Sequence, residues 1–241
     1  MILRTQYKFN KHNIADFKLK LLNWSQQFDD IVWLDSNNHN SKYSKYDCIL
    51  AVDALTSIQT DYINAFDKLR EYQSTTNDWI FGYLTYDLKN AVEDLQSNNF
   101  DGLEFPDLYF FQPKKLFFIK GNKVIVKYLN FVEDELEEDL KTIETNALTD
   151  LNENKDCIEK QIKIKLRIHK DEYFSKVNKM LDHIHRGDIY EANFCQEFYA
   201  ENTQINPLET YQKLNTISNP PFAAFVKYVD RYLLSASPER Y

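Results

Sequence analysis

The end of the chain combines an apolar run with charged groups, in the order Leu233-Leu234-Ser235-Ala236-Ser237-Pro238-Glu239-Arg240-Tyr241. The apolar part is typical of a strand. Charged groups at a strand end are held by a rigid backbone, which suits a site for chemistry. Glu239 is then a candidate acid. On composition alone, a surface turn with an exposed Glu–Arg pair is the favoured interpretation.

Two upstream segments change that interpretation. In His185-Arg186-Gly187-Asp188-Ile189-Tyr190-Glu191-Ala192-Asn193-Phe194, a predicted helix gives way to a predicted strand, and Gly187 is placed as the helix C-cap. The second segment is Asn219-Pro220-Pro221-Phe222, which precedes another predicted strand. Together with these segments, the Ser-Pro-Glu-Arg turn is better interpreted as part of a functional site.

This ordered set resembles the opening of the chorismate-binding domain that anthranilate, aminodeoxychorismate, isochorismate and salicylate synthases share. In that family a helix ends in Gly-Asp-x-Tyr, a strand carries an Asn, and an Asn-x-Pro-(Phe/Tyr) turn precedes Ser-Pro-Glu-Arg-Phe. Tyr241 replaces the usual Phe, which is a mild departure. Three motifs in the same order make the resemblance specific.

The N-terminal part is similar to the component I branch of the same family. The matching segments are Trp33-Leu34-Asp35-Ser36, then Tyr43-Ser44-Lys45-Tyr46-Asp47, then Phe81-Gly82-Tyr83-Leu84-Thr85-Tyr86-Asp87-Leu88. The resemblance covers essentially the whole chain and is weakest over residues 133–160. The alternative interpretation is that these segments serve only in the packing of strands and turns.

The resemblance implies a tryptophan pocket and a catalytic acid. By motif, the pocket would be lined by Ser36, Tyr43, Ser44, Lys45, Tyr46, Pro221, Phe222 and Ala223. Asp35 and Lys45 replace the Glu and Arg of anthranilate synthases, so a bound tryptophan and a merely packed core both stay open.

Glu239 matches the family's catalytic carboxylate. Chorismate loses its C4 hydroxyl when a nucleophile attacks, and hydroxide is a poor leaving group, so a positioned acid should protonate it. A carboxyl group serves as an acid at neutral pH when it is buried. We therefore expect Glu239 to be buried beside the cavity that the regions of residues 36 and 222 frame.

The activity that the resemblance implies is that of aminodeoxychorismate synthase component I. This enzyme converts chorismate and ammonia, supplied by a glutamine amidotransferase component II, to 4-amino-4-deoxychorismate for 4-aminobenzoate and folate synthesis. The alternatives are anthranilate synthase component I of tryptophan synthesis, and a non-catalytic ligand-binding or partner-docking fragment. The family's Mg²⁺ ligands are expected downstream of Tyr241, so the chain is expected to be truncated and inactive alone.

Composition argues against several other classes of protein. The four glycines cannot form a Gly-rich phosphate loop. A formal net charge of -8 with interspersed signs disfavours nucleic acid, and no apolar stretch is long enough to span a membrane. Three scattered cysteines favour a reducing, cytoplasmic setting.

Two other possible chemical sites are disfavoured. His183 and His185 lie two residues apart on a predicted helix and point to different faces, so a shared metal is disfavoured. We expect no metal site within this chain. Cys195 lies in an apolar run and is predicted to be a buried small hydrophobe rather than a nucleophile.

Apolar periodicity predicts the elements that position these residues. Helices are predicted over 14–28, 62–69, 88–95, 171–185 and 207–214. Strands are predicted over 31–35, 47–53, 79–86, 108–112, 116–120, 123–129, 161–168, 190–199, 222–228 and 232–235. Gly121-Asn122 marks a hairpin, and the acidic stretch 133–160 reads as a surface helix plus linker.

The predicted fold class is α+β, with mixed, largely antiparallel sheets and flanking helices as in anthranilate synthase component I. Two domains are predicted, an N-terminal component I domain over 1–150 and the beginning of the chorismate-binding catalytic domain over 160–241.

Overall fold

The computed structural model describes residues 3–39, 44–145 and 162–239. The strands are β1 (Arg4–Asn10), β2 (Asp30–Asp35), β3 (Cys48–Thr60), β4 (Phe81–Leu84), β5 (Leu108–Lys120), β6 (Lys123–Leu129), β7 (Lys165–Leu166), β8 (Phe198–Tyr199), β9 (Phe222–Tyr228) and β10 (Arg231–Ser237). The α-helices are α1 (Ile14–Ser25), α2 (Ala65–Thr76), α3 (Leu136–Thr145), α4 (Lys170–Arg186) and α5 (Pro207–Ser218). Short 3₁₀ helices cover Tyr86–Ala91 and Asn130–Glu135.

One large antiparallel sheet dominates the described chain. Its strand order is β1-β6-β5-β3-β2-β9-β10, and β4 also pairs with β5, giving eight strands. Successive side chains of a strand point to opposite faces, and most buried apolar residues accordingly fall into two large clusters, beside a third, small cluster of Ala65, Leu88 and Leu108. The α+β prediction with antiparallel sheets is confirmed.

The first cluster is the core between the sheet and the helices α1, α3 and α5. On α1 the spacing of Phe17, Leu21 and Trp24 places three apolar side chains on one helix face, as predicted. The ring of Trp24 meets Phe117 of β5 edge-on at 5.6 Å. The second cluster lies on the other face and contains Val32, Ala51, Phe81, Tyr109, Phe111, Leu116, Phe118 and Val226.

The strand β5 is continuous, although two strands separated at 113–115 were predicted. The predicted gap contains Lys115, whose ammonium group is buried and pairs with Asp139 and Glu135. Because the charge is neutralised inside the core, the strand passes through without interruption. The predicted hairpin is confirmed, and Gly121 takes a φ of 54° between β5 and β6.

Two predicted strands are wrong over most of their length. Of the ranges 161–168 and 190–199, only Lys165–Leu166 and Phe198–Tyr199 form a ladder, and residue 161 lies outside the described residues. A strand needs a neighbour for its backbone groups, and the described residues supply one for only these two pairs. The neighbouring helix α4 ends at Gly187 in the left-handed region, φ 80°, as predicted.

Two other helix predictions are shorter in the structure. The range 88–95 becomes the 3₁₀ helix Tyr86–Ala91, and the acidic stretch contributes α3 up to Thr145. Residues 146–161 lie outside the described part of the chain. No helix of the described residues is long and apolar enough to cross a membrane.

The compact units of the structure have different boundaries from the predicted domains. One unit contains Met1–Leu151 together with Pro207–Tyr241, and the other is Asn152–Asn206. The predicted division placed β9 and β10 with the second part. They belong to the first because β9 pairs with β2 from Asp35 opposite Ala223 to Asp30 opposite Tyr228.

Candidate functional site

Three of the segments singled out in the sequence meet at one end of the large sheet. Asp35, at the end of β2, is paired with Cys48 at the start of β3 and with Ala223 near the start of β9. Ala223 is in turn paired with Ala236 near the end of β10. Because these strands are antiparallel neighbours, Ser36, the turn before β9 and the Ser-Pro-Glu turn emerge at the same edge of the sheet.

The loop after β2 is tied to the turn before β9 by side-chain amides. The Nδ2 group of Asn37 donates to Asn215 Oδ1 at 2.7 Å and to the Pro220 carbonyl at 2.8 Å. Asn215 Nδ2 donates back to Asn37 Oδ1 at 2.9 Å. His39 Nε2 lies 2.8 Å from the Asn219 carbonyl oxygen. These contacts hold the loop and the turn in a fixed arrangement.

Asp35 is buried and its charge is neutralised within the same unit. Its side chain is 8% exposed, and Lys18 Nζ of α1 lies 2.9 and 3.0 Å from its two carboxylate oxygens. Asp35 Oδ1 also accepts the N–H of Asn37 at 2.9 Å. The residue that departs from the anthranilate synthase pattern therefore anchors α1 and the loop after β2.

Ser36 contributes a hydroxyl group that is buried without a hydrogen-bond partner among the described residues. Its N–H donates to the Asp47 carbonyl at 2.8 Å, which fixes the backbone. Burial opposes ionisation of Asp47, but hydrogen bonds from Lys120 Nζ and the Gly121 N–H, both 2.6 Å, hold its pKa below the ordinary value. A buried unpaired hydroxyl beside a rigid frame can hold a polar group of a ligand.

The other predicted pocket residues do not lie on one face of the sheet. Tyr46 packs against Phe118 at 4.7 Å in the second cluster, with Lys45 Nζ 5.6 Å above its ring. Ala223 belongs to the first cluster instead, while its neighbour Phe222 is exposed. Pro221 and Ser44 are half-buried, and Tyr43 lies outside the described residues. Tryptophan binding by this set stays a prediction.

Glu239 is exposed, not buried as expected. It follows β10, the strand at one end of the sheet order. Its main chain is nevertheless fixed, because the Ser237 hydroxyl donates to the Glu239 carbonyl at 2.7 Å and accepts the Glu239 N–H at 3.3 Å. The catalytic role of Glu239 stays a prediction, and the burial that it requires is not supplied by the residues described.

The described residues contain no group of three His, Cys, Asp or Glu side chains that could hold a metal ion. His183 contacts Asp188 at 2.7 Å and Arg186 at 2.9 Å instead. Cys195 is exposed, so its predicted burial is wrong. It lies in the range 190–199, where the predicted strand is mostly absent.

Lys18, Asn37 and Asn215 are not among the site residues predicted from the sequence. The last two are 178 residues apart, and no local pattern could pair them. One signal was present: Asn37 takes a φ of 47°, and Asn tolerates this left-handed region better than most residues. An Asn two residues after a buried strand is therefore a sequence signal for a fixed turn.

The comparisons with known sequences agree with one another. The family model described as chorismate binding enzyme matches residues 28–241. An anthranilate synthase component I-like protein of Synechocystis sp. is 28% identical over 179 residues, which are 74% of this chain and 36% of that protein. Aminodeoxychorismate synthase component 1 of Escherichia coli is 31% identical over 72 residues, which are 30% of this chain and 16% of that protein.

A solved structure has the same fold. The crystal structure of anthranilate synthase component I from Streptococcus pneumoniae superposes with a TM-score of 0.66 and 20% identity, over 83% of this chain and 52% of that one. The chain therefore spans about a third of the Synechocystis relative and about half of the solved structure.

Proposed function

Because the chain belongs to the family of chorismate binding enzymes, we propose that it acts within a synthase component I that replaces the C4 hydroxyl of chorismate by an amino group. The product would be 4-amino-4-deoxychorismate, the precursor of 4-aminobenzoate. A separate glutamine amidotransferase component would supply the ammonia.

One observation carries this proposal, namely the convergence of the motif segments at one sheet end. The register places Asp35 of β2, Ala223 of β9 and Ala236 of β10 side by side. Segments that are about two hundred residues apart in the chain thus become neighbours, as residues of a shared site must. Unrelated surface turns would not be expected to lie together at the same end of these strands.

The proposed role of Glu239 is proton donation. As the nitrogen of ammonia bonds to C4, the C4–O bond breaks and the oxygen leaves as water with the proton of Glu239. A carboxylic acid in this role must be desolvated when substrate is bound. Since Glu239 is exposed, we propose that substrate and further protein surface cover it in the active enzyme.

The aminating branch is favoured by the environment of Asp35. The anthranilate synthase pattern has a Glu here, whose longer side chain could reach a ligand. The shorter Asp35 is held by Lys18 and by the N–H of Asn37, so its charge is directed into the core rather than toward a bound amino acid.

Anthranilate synthesis is the second candidate. It is favoured by the length of the match to the anthranilate synthase component I-like protein, which extends over 74% of this chain. Both reactions use chorismate and ammonia, but only the formation of anthranilate also releases pyruvate.

Two ligands expected from the resemblance have different support. The hydroxyl of Ser36, buried with no hydrogen-bond partner in the described part of the chain, supports a bound tryptophan or a similar amino acid near the loop after β2. For Mg²⁺, the described residues offer no cluster of ligands. We therefore propose no described residue of this chain as a ligand of the metal in the reaction.

The test is product analysis with the complete open reading frame that encodes this chain. The protein is incubated with chorismate, Mg²⁺ and ammonia, and in a second arm with glutamine and the amidotransferase component. Formation of 4-amino-4-deoxychorismate without pyruvate supports the proposal. Equal amounts of anthranilate and pyruvate would support the second candidate, and binding of chorismate without turnover would support a non-catalytic module.

A further inference from the structure

Ser237 lies where the edge of the large sheet passes into the Ser-Pro-Glu turn. It is the last residue of β10 and is paired with Phe222, the first residue of β9. Its hydroxyl group donates to the Glu239 carbonyl at 2.7 Å and accepts the Glu239 N–H at 3.3 Å. A hydroxyl has one donor and two acceptor positions, so this one group binds both main-chain polar atoms of Glu239.

Pro238 makes the turn stiffer. Proline has no N–H and its φ is fixed at about −65°. The main chain between Ser237 and Glu239 is therefore held by the proline ring on one side and by two hydrogen bonds on the other. Ser237, where the turn begins, is paired with Phe222 of β9. The chain just before Phe222 is held in turn, because Asn37 Nδ2 donates to the Pro220 carbonyl at 2.8 Å.

We propose that Ser237 is a positioning residue for Glu239: its hydroxyl sets the direction in which the Glu239 side chain leaves the backbone. The inference rests on the proposed function, in which Glu239 donates a proton. Because the Glu239 side chain is exposed, its direction must come from its own main chain rather than from packing. A proton donor must come within about 3 Å of the leaving oxygen, and a misplacement of about 1 Å can cost about 100-fold in rate.

The test compares three variants of the complete protein in steady-state kinetics with chorismate and ammonia. Ser237→Ala removes both hydrogen bonds and is expected to lower kcat by about 10- to 100-fold while KM for chorismate changes by less than about threefold. Ser237→Thr keeps the hydroxyl and suits a strand end, so it is expected to restore most of kcat. Ser235→Ala removes a hydroxyl two residues earlier on the same strand and serves as the matched control with wild-type kinetics.

Thermal unfolding of each variant separates positioning from folding, since the three melting temperatures are expected to stay close to that of the wild type. The inference is overturned if Ser237→Ala retains the full kcat, or if Ser237→Thr is as slow as Ser237→Ala. A failure of the proposed function is seen separately, because the wild-type protein would then form no 4-amino-4-deoxychorismate. A Glu239→Gln variant with the wild-type rate would remove the acid role alone.

Discussion

The ion pair between Arg4 and Asp78 is expected to be the most sensitive point in the stability of the large sheet. The two side chains are 7% and 6% exposed. Arg4 Nε lies 2.9 Å from both oxygens of Asp78, and Nη2 lies 2.7 Å from Oδ2. Gln112 Nε2 donates to the same carboxylate at 2.9 Å. The pair thereby links the start of β1 to the residues before β4 and to β5.

Asp78→Ala would leave the guanidinium of Arg4 buried and without its counter-charge. Breaking a buried pair in this way costs about 3–5 kcal/mol. Arg4 still donates to the carbonyls of Pro113 and Lys114, so we expect the lower end, about 3 kcal/mol. The matched control is Asp67→Ala, which breaks an exposed pair with Arg70 and should cost less than about 1 kcal/mol.

The assay is equilibrium unfolding in urea, followed by tryptophan fluorescence. All three tryptophans lie in the unit that contains the large sheet, so the signal reports on that unit. With an m-value of about 2 kcal/mol/M, a loss of about 3 kcal/mol lowers the midpoint by about 1.5 M. A midpoint for Asp78→Ala that equals that of Asp67→Ala would refute the reasoning.

Three further predictions concern the same sheet. In Gly82→Ala the new Cβ would lie 1.8 Å from the Tyr109 carbonyl oxygen, so we expect poor folding, seen as a large loss of soluble protein. Gly121→Ala meets no atom within 4 Å but must keep a φ of 54°, so its free energy of unfolding should fall by only about 1 kcal/mol, which lowers the urea midpoint by about 0.5 M. Burial raises the pKa of Asp47, but the hydrogen bonds from Lys120 and the Gly121 N–H lower it below the ordinary value. The stability that Asp47 contributes should therefore be fully present above the unfolded-state pKa of about 4 and be lost as the pH falls through the lowered pKa. Asp47→Asn should flatten that acid dependence of the melting temperature, and an unchanged dependence would contradict the assignment.

The sequence predicted the elements whose signal is local. The spacing of Phe17, Leu21 and Trp24 fixes a helix face wherever the helix lies, and Gly187 ends α4 because only glycine takes its φ without strain. The Gly121-Asn122 hairpin is likewise a property of adjacent residues.

Features that depend on distant partners could not be predicted. Lys115 interrupts an apolar pattern, and only its pairing with Asp139 and Glu135 from α3 and the 3₁₀ helix before it explains why β5 continues. The Asn37–Asn215 pair joins two residues that no periodicity relates. The candidate site was found by motif, but the assignment of its residues to opposite sheet faces required the strand register.

The most direct test of the account is to separate binding from turnover at Glu239 in the complete protein. Chorismate affinity is measured by titration calorimetry, and the rate is measured as product formed with ammonia. We expect Glu239→Gln to bind chorismate within about threefold of the wild type while its rate falls by about 100-fold or more. A Glu239→Gln variant that forms product at the wild-type rate would contradict it.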